Sequence, residues 1–287
     1  MTHRWDVGPP EAAADWAARP PVGPTWDSAL TAREFAAIEG AGFEPVGQVL
    51  GTAVFNIGYT GVWGCPGAWS ATDGPGAASS HWASSYEPLE WTMYTARRLA
   101  LRRAESECRA LGGDGIVGVR LRTGGFSAGG VEFTALGTAV RARSRIRPAR
   151  PFTSHLSGQD FAKLLHSGWV PVGLAFGVAL AIRHDDWRAF GRMTRNQEVD
   201  GYTRLINHVR HVARERLGLG AARHGGDGVV VDAMQLNLWE SECPAPGNAR
   251  DLTAEAVLVG TSLTRFARSR QPTGPGPLTI MRLEREH

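Results

Sequence analysis

The sequence predicts an α+β protein made of two tandem β-α-β-β units, each a helix packed on a small antiparallel sheet and preceded by a short helix. The first observation behind this prediction is an internal repeat. The 27 residues from Ser28 align without gaps with the 27 residues from Ser154, and ten of these positions are identical. The second observation is that each copy continues with one stretch of helical period and two stretches of alternating apolar residues.

Short motifs recur in the same order after the aligned stretch. They are Tyr94-Thr95 with Tyr202-Thr203, Gly112-Gly113-Asp114-Gly115 with Gly225-Gly226-Asp227-Gly228, and Gly137-Thr138 with Gly260-Thr261. The spacing between the members of each pair changes along the chain, so the copies differ by insertions, which occur in loops. A duplication therefore explains the pattern better than chance.

Each copy opens with a predicted short helix. Thr31 is followed three residues later by Glu34, and Ser157 by Asp160, which is the pattern of a helix N-cap with a carboxylate in the first turn. A longer amphipathic helix is predicted over 91–111, and its copy over 202–217.

Three strands are predicted in each copy. They cover 46–55, 116–122 and 131–140 in the first copy, and 172–182, 229–239 and 255–263 in the second. Alternation places Val117, Val119 and Leu121 on one face of their strand. Because one helix covers only one face of a small sheet, we expect the copies to pack on each other or on other chains.

The predicted domain boundaries follow from the repeat and from composition. They are a Pro-rich segment at 1–27, a first unit at 28–143 with a Gly- and Trp-rich insertion at 59–86, a basic linker at 144–153, a second and divergent unit at 154–266, and a tail at 267–287.

Composition excludes several classes of protein. The net charge is only +3, so charge alone does not predict a nucleic-acid partner. Three cysteines without a Cys-x-x-Cys pair exclude a disulfide framework and a four-cysteine zinc site within one chain. We find no apolar stretch typical of a signal peptide or a bilayer span, and we expect a soluble, cytoplasmic protein without a membrane or nucleic-acid partner.

The repeated motifs resemble the YbjQ family, whose domain is described as heavy-metal-binding. The resemblance rests on Pro45-Val46-Gly47, Gly51-Thr52-Ala53-Val54, the run from Ala110 to Arg120, and the run from Ala135 to Val140, and it is weaker in the second copy. It implies a dodecin-like β-α-β-β subunit that assembles into a homopentameric ring. In a tandem chain, either five chains supply ten units, or the second copy acts as a built-in partner.

Candidate metal ligands come from the residues of the second copy. His208 and His211 are three residues apart on the predicted helix, so both imidazoles could reach one metal ion. Cys243 lies near Glu240 and Glu242 in a predicted hairpin loop. This set predicts a transition metal ion, with Zn, Cu and Ni as candidates. The alternative is a pair of surface histidines without metal, and the first copy is expected to have Ala100 and Arg103 at the corresponding places.

Two functional hypotheses remain from the sequence. The first is a non-enzymatic, metal-binding homo-oligomer. The second is a ring-forming scaffold without metal that binds an unidentified protein through its Trp-rich insertion. Hydrolysis by Ser127 is disfavoured, because its Gly-x-Ser-x-Gly string links two predicted strands instead of a strand and a helix.

Overall fold

The computed structural model describes residues 27–56, 82–83, 87–126, 130–145, 147–185, 198–242 and 250–266. In chain order, its elements are α1 (Ala32–Gly40), β1 (Phe43–Phe55), β2 (Trp82–Ala83), α2 (Glu87–Ala110), β3 (Gly115–Gly125), β4 (Val131–Ala142), β5 (Phe152–Thr153), α3 (Gly158–His166), β6 (Trp169–Asp185), α4 (Asp200–Arg223), β7 (Gly228–Glu242) and β8 (Arg250–Arg265). The predicted α+β class is confirmed. Apart from the short strands β2 and β5, the same order of elements occurs in both halves of the chain.

The two short helices begin at the predicted caps. The Thr31 hydroxyl accepts a hydrogen bond from the Glu34 N–H, and the Glu34 carboxylate accepts one from the Thr31 N–H in return. This capping box satisfies two N–H groups that the first turn of a helix leaves open. Ser157 caps α3 by accepting a hydrogen bond from the Asp160 N–H at 3.2 Å, and its hydroxyl, not its N–H, donates to Asp160 Oδ2 at 2.8 Å.

The strands form two four-stranded sheets, with the orders β1-β4-β3-β5 in the first sheet and β2-β6-β8-β7 in the second. All pairs are antiparallel except β5 with β3. The strands β1 and β6 begin three residues earlier than predicted, because bulges at Pro45/Gly47 and Pro171/Gly173 let a proline stand within each strand. The residues of β5 were predicted to belong to a solvated linker, but they add a fourth strand to the first sheet.

One predicted strand face is wrong. Gly118 has a φ of 64°, and the pairing register of β3 with β4 shifts between Val117 and Arg120. This bulge turns Val117 to the face opposite Val119 and Leu121, where it packs with Ile38 and Phe161. Strict alternation in the sequence gave no indication of the extra residue.

The layers follow the order first sheet, α2, second sheet, α4. Apolar side chains of α2 pack on Val49 and Phe133 of the first sheet and also on Phe176 and Val178 of the second. The opposite face of the second sheet packs on α4 through a separate, alanine-rich cluster. The two halves therefore share one core, as the sequence led us to expect for copies that cannot cover both sheet faces alone.

Two glycines permit the close contact of helix and sheet. A Cβ on Gly51 would lie 1.9 Å from the Ala100 carbonyl oxygen, and a Cβ on Gly177 would lie 1.9 Å from the Ala213 carbonyl oxygen. No larger residue fits at either place without moving a helix backbone. The helix α4 also continues to Arg223, six residues beyond its predicted end. Within the described ranges, neither long helix is apolar enough to cross a bilayer.

Candidate functional site

The predicted metal ligands lie on α4 and beyond the end of β7. His208 is half-buried and His211 is exposed, one turn apart on α4. Burial lowers the pKa of His208 below its usual value of 6.5, although the Glu90 carboxylate opposes this effect. A lowered pKa keeps the imidazole neutral near pH 7, which is the form that binds metals.

The third predicted ligand, Cys243, lies outside the described residues, between β7 and β8. The described ranges contain no group of three or more His, Cys, Asp or Glu side chains arranged to hold a metal ion. Cys108, on α2, is buried, and its burial raises the pKa of its thiol to about 11. At neutral pH it is therefore a protonated core side chain and not a thiolate ligand.

The structure corrects the predicted counterparts of the histidines. Gly51 meets Ala100 and Ala104, whereas Gly177 meets Ala213 and Leu217. Counterparts in α2 and α4 are therefore 113 residues apart (213 minus 100). His208 and His211 then correspond to Thr95 and Arg98, not to Ala100 and Arg103. The earlier correspondence relied on the Tyr-Thr pairs, whose spacing differs from that of the packed part of the helices.

A buried ion pair joins the two halves. Arg97 on α2 lies 3.2 Å from Glu255 on β8, and both residues are about 5% exposed or less. The Arg97 guanidinium also stacks over the Phe133 ring, and the Asn237 amide donates to the second carboxylate oxygen of Glu255 at 2.9 Å. A buried pair of this kind needs further partners for its polar atoms, and Arg97 Nη1 donates to the Met93 carbonyl oxygen at 3.2 Å.

A second set of polar contacts lies closer to the start of α2. The Leu180 N–H donates to Glu90 Oε1 at 2.6 Å, and Arg216 on α4 contacts Glu90 Oε2 at 2.8 Å. Glu90 thus joins α2, β6 and α4. The Tyr94 ring packs on Phe176 with 4.8 Å between the centroids. The interface between the halves therefore combines apolar packing with buried ion pairs between defined partners.

The sequence led us to expect that the copies pack on each other, but it did not identify Arg97 as an interface residue, because an arginine on an amphipathic helix is typical of its solvated face. A signal was present nevertheless. Glu132 and Glu255 are separated by the same 123 residues as the recognised pair Gly137 and Gly260. Acidic residues that recur in register on apolar strands indicate a repeated partner.

Comparison with known proteins identifies the family. A family model described as "Putative heavy-metal-binding" matches residues 82–143, which include α2, β3 and β4. An encapsulin nanocompartment protein of Mycobacterium tuberculosis is 35% identical over 218 residues, which is 72% of this chain and 76% of that protein. The chain belongs to the YbjQ family. No solved structure matches it.

Two further relatives match shorter stretches. A UPF0145 protein of Methanococcus maripaludis is 40% identical over 55 residues, 19% of this chain and 49% of the relative. A UPF0145 protein of Natronomonas pharaonis is 48% identical over 48 residues, 17% of this chain and 46% of the relative. The chain thus spans about half the length of these two proteins. Membership of the second half in the YbjQ family stays a prediction.

Proposed function

We propose that the chain is a non-enzymatic subunit that assembles with copies of itself and serves in a protein nanocompartment in the cytoplasm. The observation that carries this proposal is the part of the outer face of the first sheet around Leu50 and Val54, which α1 and α3 leave uncovered. Leu50 and Val54 on this face are 54% and 45% exposed, whereas their counterparts Phe176 and Leu180 on the second sheet are 4% and 2% exposed beneath α2. A sheet face that is apolar and uncovered in one unit, but covered in the other, favours a further copy as its cover.

The nanocompartment part of the proposal comes from the relative in Mycobacterium tuberculosis, whose name describes it as an encapsulin nanocompartment protein. The non-enzymatic part is supported by the sequence, which has no phosphate-binding loop, dinucleotide fingerprint or His-Glu-x-x-His motif.

Native mass spectrometry of the purified full chain tests self-assembly. We expect discrete species with several chains, and a pentamer is the number that the family resemblance implies. A single-chain mass at every concentration up to about 100 μM would contradict the proposal, because interfaces of ordinary size associate well below that concentration. Electron micrographs of the same sample then separate a closed shell from a smaller ring.

Metal binding is a second candidate function. The neutral His208 beside His211 and the description of the family favour it, with Cys243 proposed as a further ligand. Metal-stripped protein should take up Zn²⁺, Cu²⁺ or Ni²⁺ in native mass spectra, and the variant H208A/H211A should not. The matched control is His166→Ala, on α3. Equal uptake by both variants would exclude this site.

The Trp-rich insertion at 59–86 is a candidate docking segment for a protein partner. Most of it lies outside the described residues, but Trp91, five residues after its end and on α2, is 67% exposed. Exposed tryptophan is typical of binding surfaces. Deletion of residues 62–82 should release any protein that copurifies stoichiometrically with the intact chain, without changing the circular dichroism of the chain. Retention of that protein would contradict a docking role.

A further inference from the structure

We propose that the chains assemble head to tail. The helix α4 and the free edge of β7 in one chain bind the outer face of the first sheet and residues 27–30 of the next chain. This inference rests on the proposed self-assembly and names the surfaces that carry it. The contact between the two halves of one chain has the geometry that we propose for the contact between chains, and we call it the internal template.

The internal template has two parts. The helix α2 of the first half covers the second sheet, where Arg97 and Glu255 form the buried ion pair. The segment that begins the second half, Phe152–Thr153, pairs with β3 of the first half. For each part, the equivalent residues near the two ends of the chain do not make this contact within the described part of the chain.

The helix part of the template recurs in Arg210 and Glu132. Arg210 lies 113 residues after Arg97, which is the spacing of counterparts in the two long helices. Glu132 pairs with Val54 across β1 and β4 as Glu255 pairs with Leu180 across β6 and β8. Arg210 is exposed, Glu132 is partly exposed, and neither forms an ion pair with another described residue. Arg210 of one chain and Glu132 of the next chain can therefore form the same ion pair that Arg97 and Glu255 form within one chain.

The strand part of the template recurs in residues 27–30. The Leu174 N–H donates to Thr153 Oγ1 at 2.8 Å, and the Gln48 N–H donates to Asp27 Oδ1 at 3.2 Å. The Leu156 N–H donates to Ser154 Oγ at 3.2 Å, and the Leu30 N–H donates to Ser28 Oγ at 3.0 Å. The segment at 27–30 is therefore held in the same local conformation as its counterpart at 153–156.

The acceptor for this segment is the edge of β7. In the internal template, the Ser154 N–H donates to the Ile116 carbonyl and the Val119 N–H donates to the Ser154 carbonyl, both at 2.9 Å. The strand β7 takes the place of β3 in the second sheet, but within the described part of the chain it pairs only with β8. Its residues Val230 and Val231 are 39% and 45% exposed. An open apolar edge of this kind readily accepts a further strand.

The helix contact and the strand contact both join the second half of one chain to the first half of the next chain. Each chain presents α4 and β7 at one end, and the first sheet and residues 27–30 at the other. Such a heterologous contact closes into a ring if the rotation between chains permits it, and otherwise extends as a filament. The contact between the two halves of one chain supplies the geometry for this contact between chains.

The contact between chains is more polar than its template. Tyr94 and Leu101 of α2, which pack within the shared core, correspond to Asn207 and Arg214 on α4. Apolar burial therefore contributes less to this contact, and charge contributes more. We expect the assembly to dissociate as the ionic strength increases, whereas the internal contact does not.

Charge reversal tests the proposal. We expect R210E and E132R each to raise the dissociation constant of the assembly at least about tenfold in sedimentation velocity experiments, since like charges then face each other. The double variant R210E/E132R should assemble again. Glu215→Arg is the matched control on the same helix, because its counterpart Arg102 stays exposed in the internal contact.

A mixture of the two single variants gives a further test. An R210E chain and an E132R chain form two favourable contacts when they alternate, so an equimolar mixture should assemble while each variant alone does not. Native mass spectra should then show equal numbers of both chains in a ring with an even number of chains, and numbers that differ by one in an odd ring such as a pentamer.

The outcomes separate the two proposals. If the unmodified chain is a monomer at all concentrations, self-assembly itself is wrong. If it assembles, but R210E and E132R assemble equally well, self-assembly stands and the head-to-tail surfaces are wrong. Loss of assembly in both single variants without recovery in the double variant or in the mixture also overturns the inference.

Discussion

Replacing Arg97 by Met should destabilise the chain by about 3–5 kcal/mol. The substitution removes the guanidinium and leaves the Glu255 carboxylate, which is 4% exposed, with the Asn237 amide as its one side-chain partner among the described residues. The cost of leaving one member of a buried ion pair uncompensated is of this size. Because whole domains are stable by only about 5–15 kcal/mol, the loss is a large fraction of the total.

Urea denaturation at a fixed protein concentration measures this effect, and a double-mutant cycle assigns it. The variant R97M/E255M should lose less free energy of unfolding than R97M alone, because no buried charge is left without a partner. Lys163→Met is the control. It breaks the exposed Lys163–Asp160 pair of 3.3 Å and should change stability by less than about 1 kcal/mol. A loss below about 1 kcal/mol for R97M, or additive losses in the cycle, would refute the reasoning.

Three further predictions concern packing, reactivity and pH. Gly177→Ala should lower the free energy of unfolding by about 3 kcal/mol or more, measured by thermal or urea unfolding, because its Cβ would overlap the Ala213 carbonyl. The control Gly218→Ala, on the exposed side of α4, should be neutral or stabilising by up to about 1 kcal/mol. Cys108, with its raised pKa of about 11, should resist iodoacetamide at pH 8 until the chain unfolds, and rapid labelling of the folded chain would show that it is accessible. Burial lowers the pKa of His155 below 6.5, so the unfolded chain binds the proton more readily and stability should fall as the pH drops through about 6.5; His155→Gln should reduce that slope, and an unchanged slope would contradict this origin.

The fold was largely predictable because each local signal occurs twice in the sequence. Caps at Thr31 and Ser157, glycines at close contacts and alternating strands each occur twice in the same order, so a local pattern that is weak by itself became reliable. The bulge at Gly118 was not predictable, because a glycine within a strand does not reveal which way the chain turns. The strand β5 was missed for a related reason, since two residues are too short for any period.

The candidate sites were less predictable because they depend on contacts between the halves. Arg97 has the sequence signature of a solvated helix residue and becomes buried only when the second sheet covers α2. The spacing of His208 and His211 did indicate a shared helix face, as observed, but their burial and their counterparts required the packed register of the helix. The spacing of apolar residues predicts the buried face of one helix or strand, whereas the ion pairs between two elements become visible only in the tertiary structure.

The connection between β4 and β5 determines how the protein responds to dilution. Only residues 143–151 separate these strands, so the second half meets the first at an effective concentration in the millimolar range. Diluting an assembly therefore releases whole chains and never single units, and only the contacts between chains depend on protein concentration. Because the two halves are joined in one chain, they also occupy two different positions in the proposed assembly. In the proposed assembly, the Trp-rich insertion, which occurs in the sequence of the first half only, would therefore be present once per chain and not once per unit.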